Sequence, residues 1–190
     1  MIADKDRSGW FGASDSKFIC GNWNTKTFKK FWMQKMVINN DHFDNKYTLA
    51  GNNYERKILE SLGLPMKFDR QILLPELCLR VNLDGETTHS PCIYECKTYK
   101  YENGWKLRKE YVQQVQVQMY ASGIHFVEII AYGLLDEDYK NFFNPIDTTR
   151  IQRHSVAYDD RWINEVYLPK LRRLAECLKM GVLPSEITIR

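Results

Sequence analysis

The spacing of apolar residues along the chain divides it into a helical N-terminal third, a run of strands, and a mixed C-terminal part. Ser14-Asp15 offers a helix N-cap ahead of Lys17-Phe18-Ile19, and Thr25 offers another ahead of Phe28, Phe31, Trp32 and Met36, which recur at helical spacing. A third helix is predicted from about Thr48 to Leu62, carrying Tyr54, Ile58, Leu59 and Leu62 on one face and stopped by Gly63. The period then changes to two. Lys67–Leu74, Leu77–Leu83 and Cys92–Thr98 read as three strands of an antiparallel meander, with Leu77, Leu79, Val81 and Leu83 alternating onto one face. A helix over about Arg108–Ser122 closes at Gly123, His125–Leu134 reads as a strongly apolar strand, and Asp160–Met180 reads as one amphipathic helix bearing Trp162, Val166, Leu171, Leu174 and Leu178. Helices, strands, a helix, then strand and helix make an α/β protein, an α+β sandwich.

Composition narrows the class. At 190 residues, without repeats or a Gly-, Ser- or Pro-rich linker, the chain is expected to be a single domain, 1–190. No apolar run approaches the roughly 20 residues that span a bilayer, and the first residues lack the apolar stretch of a signal peptide, so a cytoplasmic protein without membrane contact is expected. Five cysteines, none in a CxxC pair, argue for free thiols and against a zinc or iron-sulfur centre.

Net charge is only +3, so the chain as a whole does not announce a nucleic-acid ligand. Its first 35 residues nevertheless hold seven Lys or Arg against three Asp, a distribution that suits a phosphate-facing surface and equally a solvated helix face.

The candidate chemistry lies in the second and third strands. Glu95 and Lys97 are two apart on a predicted strand and so share a face, while Cys96 points to the other. Asp84, followed by Gly85 in what reads as a turn, comes alongside Glu95 if the two strands pair. Two carboxylates and an oxygen-rich turn make a site for a hard cation such as Mg²⁺, and a lysine beside the hydrated ion can orient water: a phosphodiester-hydrolysis constellation in outline. Glu-x-Lys occurs twice in the chain, but the copy at Glu55–Lys57 falls in a predicted helix, where residues two apart do not face each other. An exposed edge strand with a plain Glu95–Lys97 ion pair is the competing reading. In the next helix Gln116 and Tyr120, four apart, share a face, with Gln113 one turn earlier; amides there suit DNA backbone or water, or a solvated face.

Arg7-Ser-Gly9 with Ala13-Ser14, Gly51-Asn-Asn-Tyr-Glu55, Asp84-Gly85, Glu95-Cys-Lys97, and Gln114-Val-Gln116 with Met119-Tyr120 together resemble the successive motifs of the phage lambda-type exonucleases. These are the YqaJ-like viral recombinases of the PD-(D/E)xK nuclease superfamily. The resemblance spans nearly the whole chain and implies a restriction-endonuclease-like core, a central mixed sheet flanked by helices. It implies metal binding by Asp84, Glu95 and the Cys96 backbone carbonyl, with Mg²⁺ as cofactor and Mn²⁺ substituting. Lys97 matches the catalytic lysine, Glu55 the helix glutamate that supports the metal site, and Gln116 the glutamine of the neighbouring helix. Arg7 and Ser14 match the residues that hold the 5′-phosphate of a DNA end. Leu83 stands where the superfamily's name has proline.

The implied activity is Mg²⁺-dependent 5′-to-3′ exonuclease action on linear double-stranded DNA ends in phage or prophage recombination. It would act in the cytoplasm of a bacterial host, with a phage single-strand annealing protein as partner and a homo-trimer as the family's assembly. An endonuclease or junction resolvase on the same core, or a catalytically silent DNA-binding protein, are the alternatives.

Overall fold

A computed structural model describes residues 8–36 and 46–184. Five strands, β1 (Met66–Leu74), β2 (Leu79–Thr87), β3 (Cys92–Lys100), β4 (Phe126–Leu134) and β5 (Ile151–Ala157), form one sheet in the order β1-β2-β3-β4-β5. β1/β2, β2/β3 and β4/β5 are antiparallel, and β3/β4 is parallel. A parallel neighbour cannot be reached by a tight turn. Helix α4 (Lys109–Ser122) supplies the crossover, starting just past β3 and ending at Gly123, whose φ of 72° is the left-handed value that a helix C-terminus favours.

Both faces of the sheet are covered. On one, Leu79, Val81, Leu83, Ile93, Val127 and Ile129 pack against α1 (Ser16–Ile19), α2 (Lys26–Lys35), α4 and the C-terminal helix. On the other, Tyr94, Cys96, Ile130 and Tyr132 pack against Ala50, Tyr54, Ile58 and Leu59 of α3 (Lys46–Glu60). The α+β sandwich read from the pattern is thus the architecture. Thr25 caps α2 as expected, accepting the Phe28 N–H at 3.0 Å. All five cysteines are free thiols. Among the described residues no helix is long and apolar enough to cross a membrane.

Four local expectations change. Asp15 stands at the N-cap position of α1, but its side chain does not cap that helix: it closes the turn Ala13–Asp15 by accepting the Gly12 N–H at 2.7 Å and pairs with Lys35 at 2.6 Å. The second strand starts at Leu79, not Leu77, because Pro75–Leu77 forms a 3₁₀ turn and Cys78 takes a left-handed φ of 48°. Asp84-Gly85 is not a turn either; β2 runs through it to Thr87, and the chain reverses at residues 88–91. Gly85 is there for space: a Cβ would lie 3.2 Å from both the Leu59 side chain of α3 and the Met66 sulfur. The last helix is broken into α5 (Asp160–Trp162), a π-helical turn Ile163–Tyr167 and α6 (Leu168–Met180). Pro169 has no N–H to return to the preceding turn, and the wider turn absorbs the lost bond.

Candidate metal and phosphate site

The site forms where β2 and β3 separate. Their ladder runs only from Thr87↔Cys92 to Gly85↔Tyr94, although the same register continued would set Asp84 opposite Glu95. β3 stays paired with β4 as far as Lys100, so a gap opens on its β2 side. Asp84 fills part of it: its Oδ2 accepts the Cys96 N–H at 2.9 Å, replacing a ladder bond. The N–H and C=O of one strand residue point to the same edge. The Cys96 carbonyl therefore faces the same gap, while its thiol is buried beside α3.

A kink aims Asp84. Side chains two apart on a strand face one side, yet Leu83 packs with the α4 layer whereas Gly85 looks onto Leu59, Met66 and Phe68 on the other. Opposite, between the pairs Phe68↔Gly85 and Arg70↔Leu83, Asp69 takes a φ of 57°. The strand pair thus changes face at Asp84, the type of local irregularity that re-aims a side chain near a site.

Glu95 is 1% exposed and faces α4. The Lys97 ammonium contacts its Oε1, Gln114 Nε2 donates to the same oxygen at 2.6 Å, and Gln118 Nε2 donates to Oε2 at 2.5 Å. Glu55 approaches from α3. One turn before it, Gly51 lets that helix close onto β3, since a Cβ there would stand 3.3 Å from Thr98 Oγ1.

The charges are under-neutralised. Burial first, then Glu95 and Glu55, push the Asp84 carboxyl well above its usual range, against the opposing pull of Lys97 and the Cys96 N–H. Burial and then Glu95 push Glu55 from 4.5 to about 7. Burial works against the Lys97 charge, but Glu95 and Asp84 outweigh it and hold that ammonium above the usual lysine value.

A small cavity of about 90 Å³ adjoins Asp84, lined by Ser14, Arg80, Asn82 and Gln114 together with the backbone around Phe11–Ala13. The N-terminal segment is stitched to the start of β2, Phe11 N–H donating to Cys78 O at 2.7 Å and Arg80 N–H to Phe11 O at 2.8 Å, and this places Ser14 there. Ser14 is therefore brought to the site; Arg7 lies outside the described residues.

Gln116 is not brought in. Its amide donates to Ala157 O at 2.6 Å and accepts the Asp159 N–H at 2.7 Å, pinning the end of β5 to α5. Gln114 and Gln118 take the place expected for it. They are four apart and share the helix face toward Glu95, whereas Gln116 is two residues, roughly 200°, from each. The i, i+4 spacing of Gln114 and Gln118 was the available signal. Arg80 and Asn82 carried none, being polar positions in an ordinary strand alternation.

Among the described residues no three His, Cys, Asp or Glu side chains converge closely enough to enclose an ion by themselves. The donors at the gap and on its α4 side, Asp84, the Cys96 carbonyl and Glu95, are nonetheless all oxygen. A carboxylate offers about four lone-pair sites, so three donors on Glu95 leave room for another partner. Mg²⁺ is commonly held by one or two carboxylates, with water and phosphate oxygens completing the shell. Such a cation fits the residues present, and it would relieve the mutual repulsion that raises Asp84 and Glu55.

A mixed five-strand sheet with helices on both faces is a fold found among nucleases. The alkaline exonuclease LHK-Exo of Laribacter hongkongensis has it: 18% identity, TM-score 0.67, with 92% of this chain and 90% of that chain covered. A second structure of that exonuclease, in complex with dAMP, gives a TM-score of 0.69 at 17% identity over the same shares. A phage-related exonuclease from Haemophilus somnus 129PT gives 0.67 at 15% identity, covering 90% of this chain and 96% of that one. Residues 4–125 match the YqaJ-like viral recombinase domain, and the chain belongs to that family. A comparison with curated protein sequences finds no match.

Proposed function

We propose that the protein is a Mg²⁺-dependent deoxyribonuclease, a 5′-to-3′ exonuclease on linear duplex DNA ends that serves phage recombination in a bacterial cytoplasm. The observation that carries this is the buried Glu95 held among Lys97, Gln114 and Gln118 while Asp84 is tied to the adjacent Cys96 amide. A protein that only bound DNA would have no use for an Asp84 carboxyl that burial, then Glu95 and Glu55, push well above its usual range at a strand gap. The exonuclease folds, one of them determined with dAMP, support the same reading.

Asp84, Glu95 and the Cys96 carbonyl would hold the cation. When bound, it polarises the scissile phosphate and acidifies water. Lys97 orients the attacking water and offsets negative charge developing on the phosphoryl oxygens. Gln114 and Gln118 keep the Glu95 carboxylate in one rotamer. Ser14 and Arg80, at the small cavity beside Asp84, would receive the terminal 5′-phosphate, with Arg7 as a further contact.

The test is digestion of a linear duplex bearing one 5′-phosphorylated end beside a covalently closed circle, in Mg²⁺ or EDTA, by the wild type and by Asp84→Asn. Mg²⁺-dependent loss of the strand from the phosphorylated end, spared circles and an inert variant are expected. Nicked or cut circles make it an endonuclease, and intact DNA under every condition makes it a binding protein.

A further inference from the structure

A second cleft, of about 340 Å³, shares no residue with the Ser14 cavity and begins at Thr98, the residue after Lys97. Its lining is aromatic. Tyr111 links it to the site, with the Lys97 ammonium 5.5 Å from its ring centre, and stacks on Trp105 at 5.5 Å with 3° between the planes. Tyr99 stands 5.5 Å from Trp105 at 48°. Tyr47, 53% exposed, and Tyr139 meet edge to face at 5.5 Å.

Every charged residue lining the cleft is a cation: Lys100, Lys106 and Arg108. Lys100 is neutralised by Glu102 and Asp136, but Arg108 has only Glu110 at 3.8 Å, and Lys106 makes no ion pair among the described residues. Trp105 and Tyr111 pack on one side against the main core, yet with Tyr99 they stay half-buried where they share the cleft wall with the cations. Its volume falls within the range of ligand pockets, roughly 300–1,000 Å³, whereas the cavity at Ser14 admits little more than a phosphate.

The geometry points to a single-strand channel: unpaired nucleotides flanking the phosphate at Lys97 lie in this cleft, their bases against the aromatic rings and their phosphates against Lys106 and Arg108. Duplex DNA keeps its base faces stacked internally and offers mainly phosphates, so stacked rings beside cations are the chemistry of a single strand. This inference rests on the nuclease reading of the neighbouring carboxylates.

The experiment measures anisotropy of a fluorescein-labelled oligo(dT) in EDTA, in the full chain carrying Asp84→Asn so that nothing is cut. Adding Tyr47→Ala or Trp105→Leu should weaken binding by about 5- to 150-fold, the usual loss per stacked base, and Lys106→Ala should weaken it and flatten its salt dependence. Tyr47→Phe, which keeps the ring, should bind as the parent does. Affinities within twofold of the parent for Tyr47→Ala and Lys106→Ala, the two exposed positions, overturn the inference. Hydrolysis of bis(p-nitrophenyl) phosphate by the wild type with Mn²⁺ is measured alongside. Its absence would remove the nuclease reading and leave the single-strand affinity to stand or fall separately.

Discussion

If the carboxylates at the strand gap repel one another, the metal-free protein should lose stability as they ionise, and removing one should relieve the loss. Glu55 is the perturbation, because Glu55→Gln keeps its shape and takes away its charge. Its carboxyl is raised from 4.5 to about 7 in the folded protein, chiefly by burial and then by Glu95. A raised carboxyl pKa means that the folded chain holds the proton more tightly than the unfolded one. Stability is therefore greatest below about pH 4.5 and falls as pH rises through the window from 4.5 to about 7, then levels off. At about 1.4 kcal/mol per pH unit the full interval is worth roughly 3 kcal/mol, and solvent reaching a half-buried carboxylate reduces it to about 1–2 kcal/mol. For a chain of this size that is about 2–8 °C in Tm. The assay is thermal unfolding from pH 4.5 to 8 in EDTA, then at pH 8 with Mg²⁺. The wild type should lose those degrees with rising pH and regain them with the ion. Glu55→Gln should lose less, since Asp84 is raised partly by Glu55 as well, and should gain less from Mg²⁺. Identical pH slopes for the two proteins would falsify the mutual repulsion, and with it the argument that the site awaits a cation.

Three further outcomes follow from the same geometry. Gln118→Leu removes a donor from Glu95 and should cut the DNA cleavage rate about 10- to 100-fold, as loss of a metal ligand's supporting partner does, whereas Gln116→Leu unpins Ala157 and Asp159 and should lower stability by about 1–3 kcal/mol with the rate per folded molecule retained; the opposite pattern in paired melts and single-turnover digests would restore Gln116 to the site. Arg150→Ala strands Asp138, which also accepts from Asn144 and the Leu135 N–H, and should cost about 3–5 kcal/mol in urea unfolding; a loss under 1 kcal/mol would show the pair to be well hydrated. Ser14→Ala and Arg7→Ala should each raise KM for 5′-phosphorylated ends more than for 5′-hydroxyl ends, and an equal effect on both would remove the terminal-phosphate assignment.

How much of this was legible in the sequence depends on whether a feature was local. Helix α2 and its Thr25 cap, the stop of α4 at Gly123 and the shared face of Glu95 and Lys97 are set by neighbours within a few positions, so periodicity found them. Asp84-Gly85 misled because Asp-Gly is a turn signal by local preference, yet the glycine answers to Leu59 and Met66, which lie 26 and 19 residues away in the chain. Its neighbour then matters for the opposite of a turn: Asp84 stays in an extended strand and caps an amide that the departing partner leaves behind. The glutamines misled through phase. Four of them, Gln113, Gln114, Gln116 and Gln118, crowd α4, and only the position of Glu95 under that helix decides that 114 and 118 face the site while 116 is spent on the far end of β5. Residue types and spacing therefore name the chemistry, but the side chains that orient it are chosen by contacts across the fold, and for this chain those contacts converge on a single event, the parting of β2 from β3.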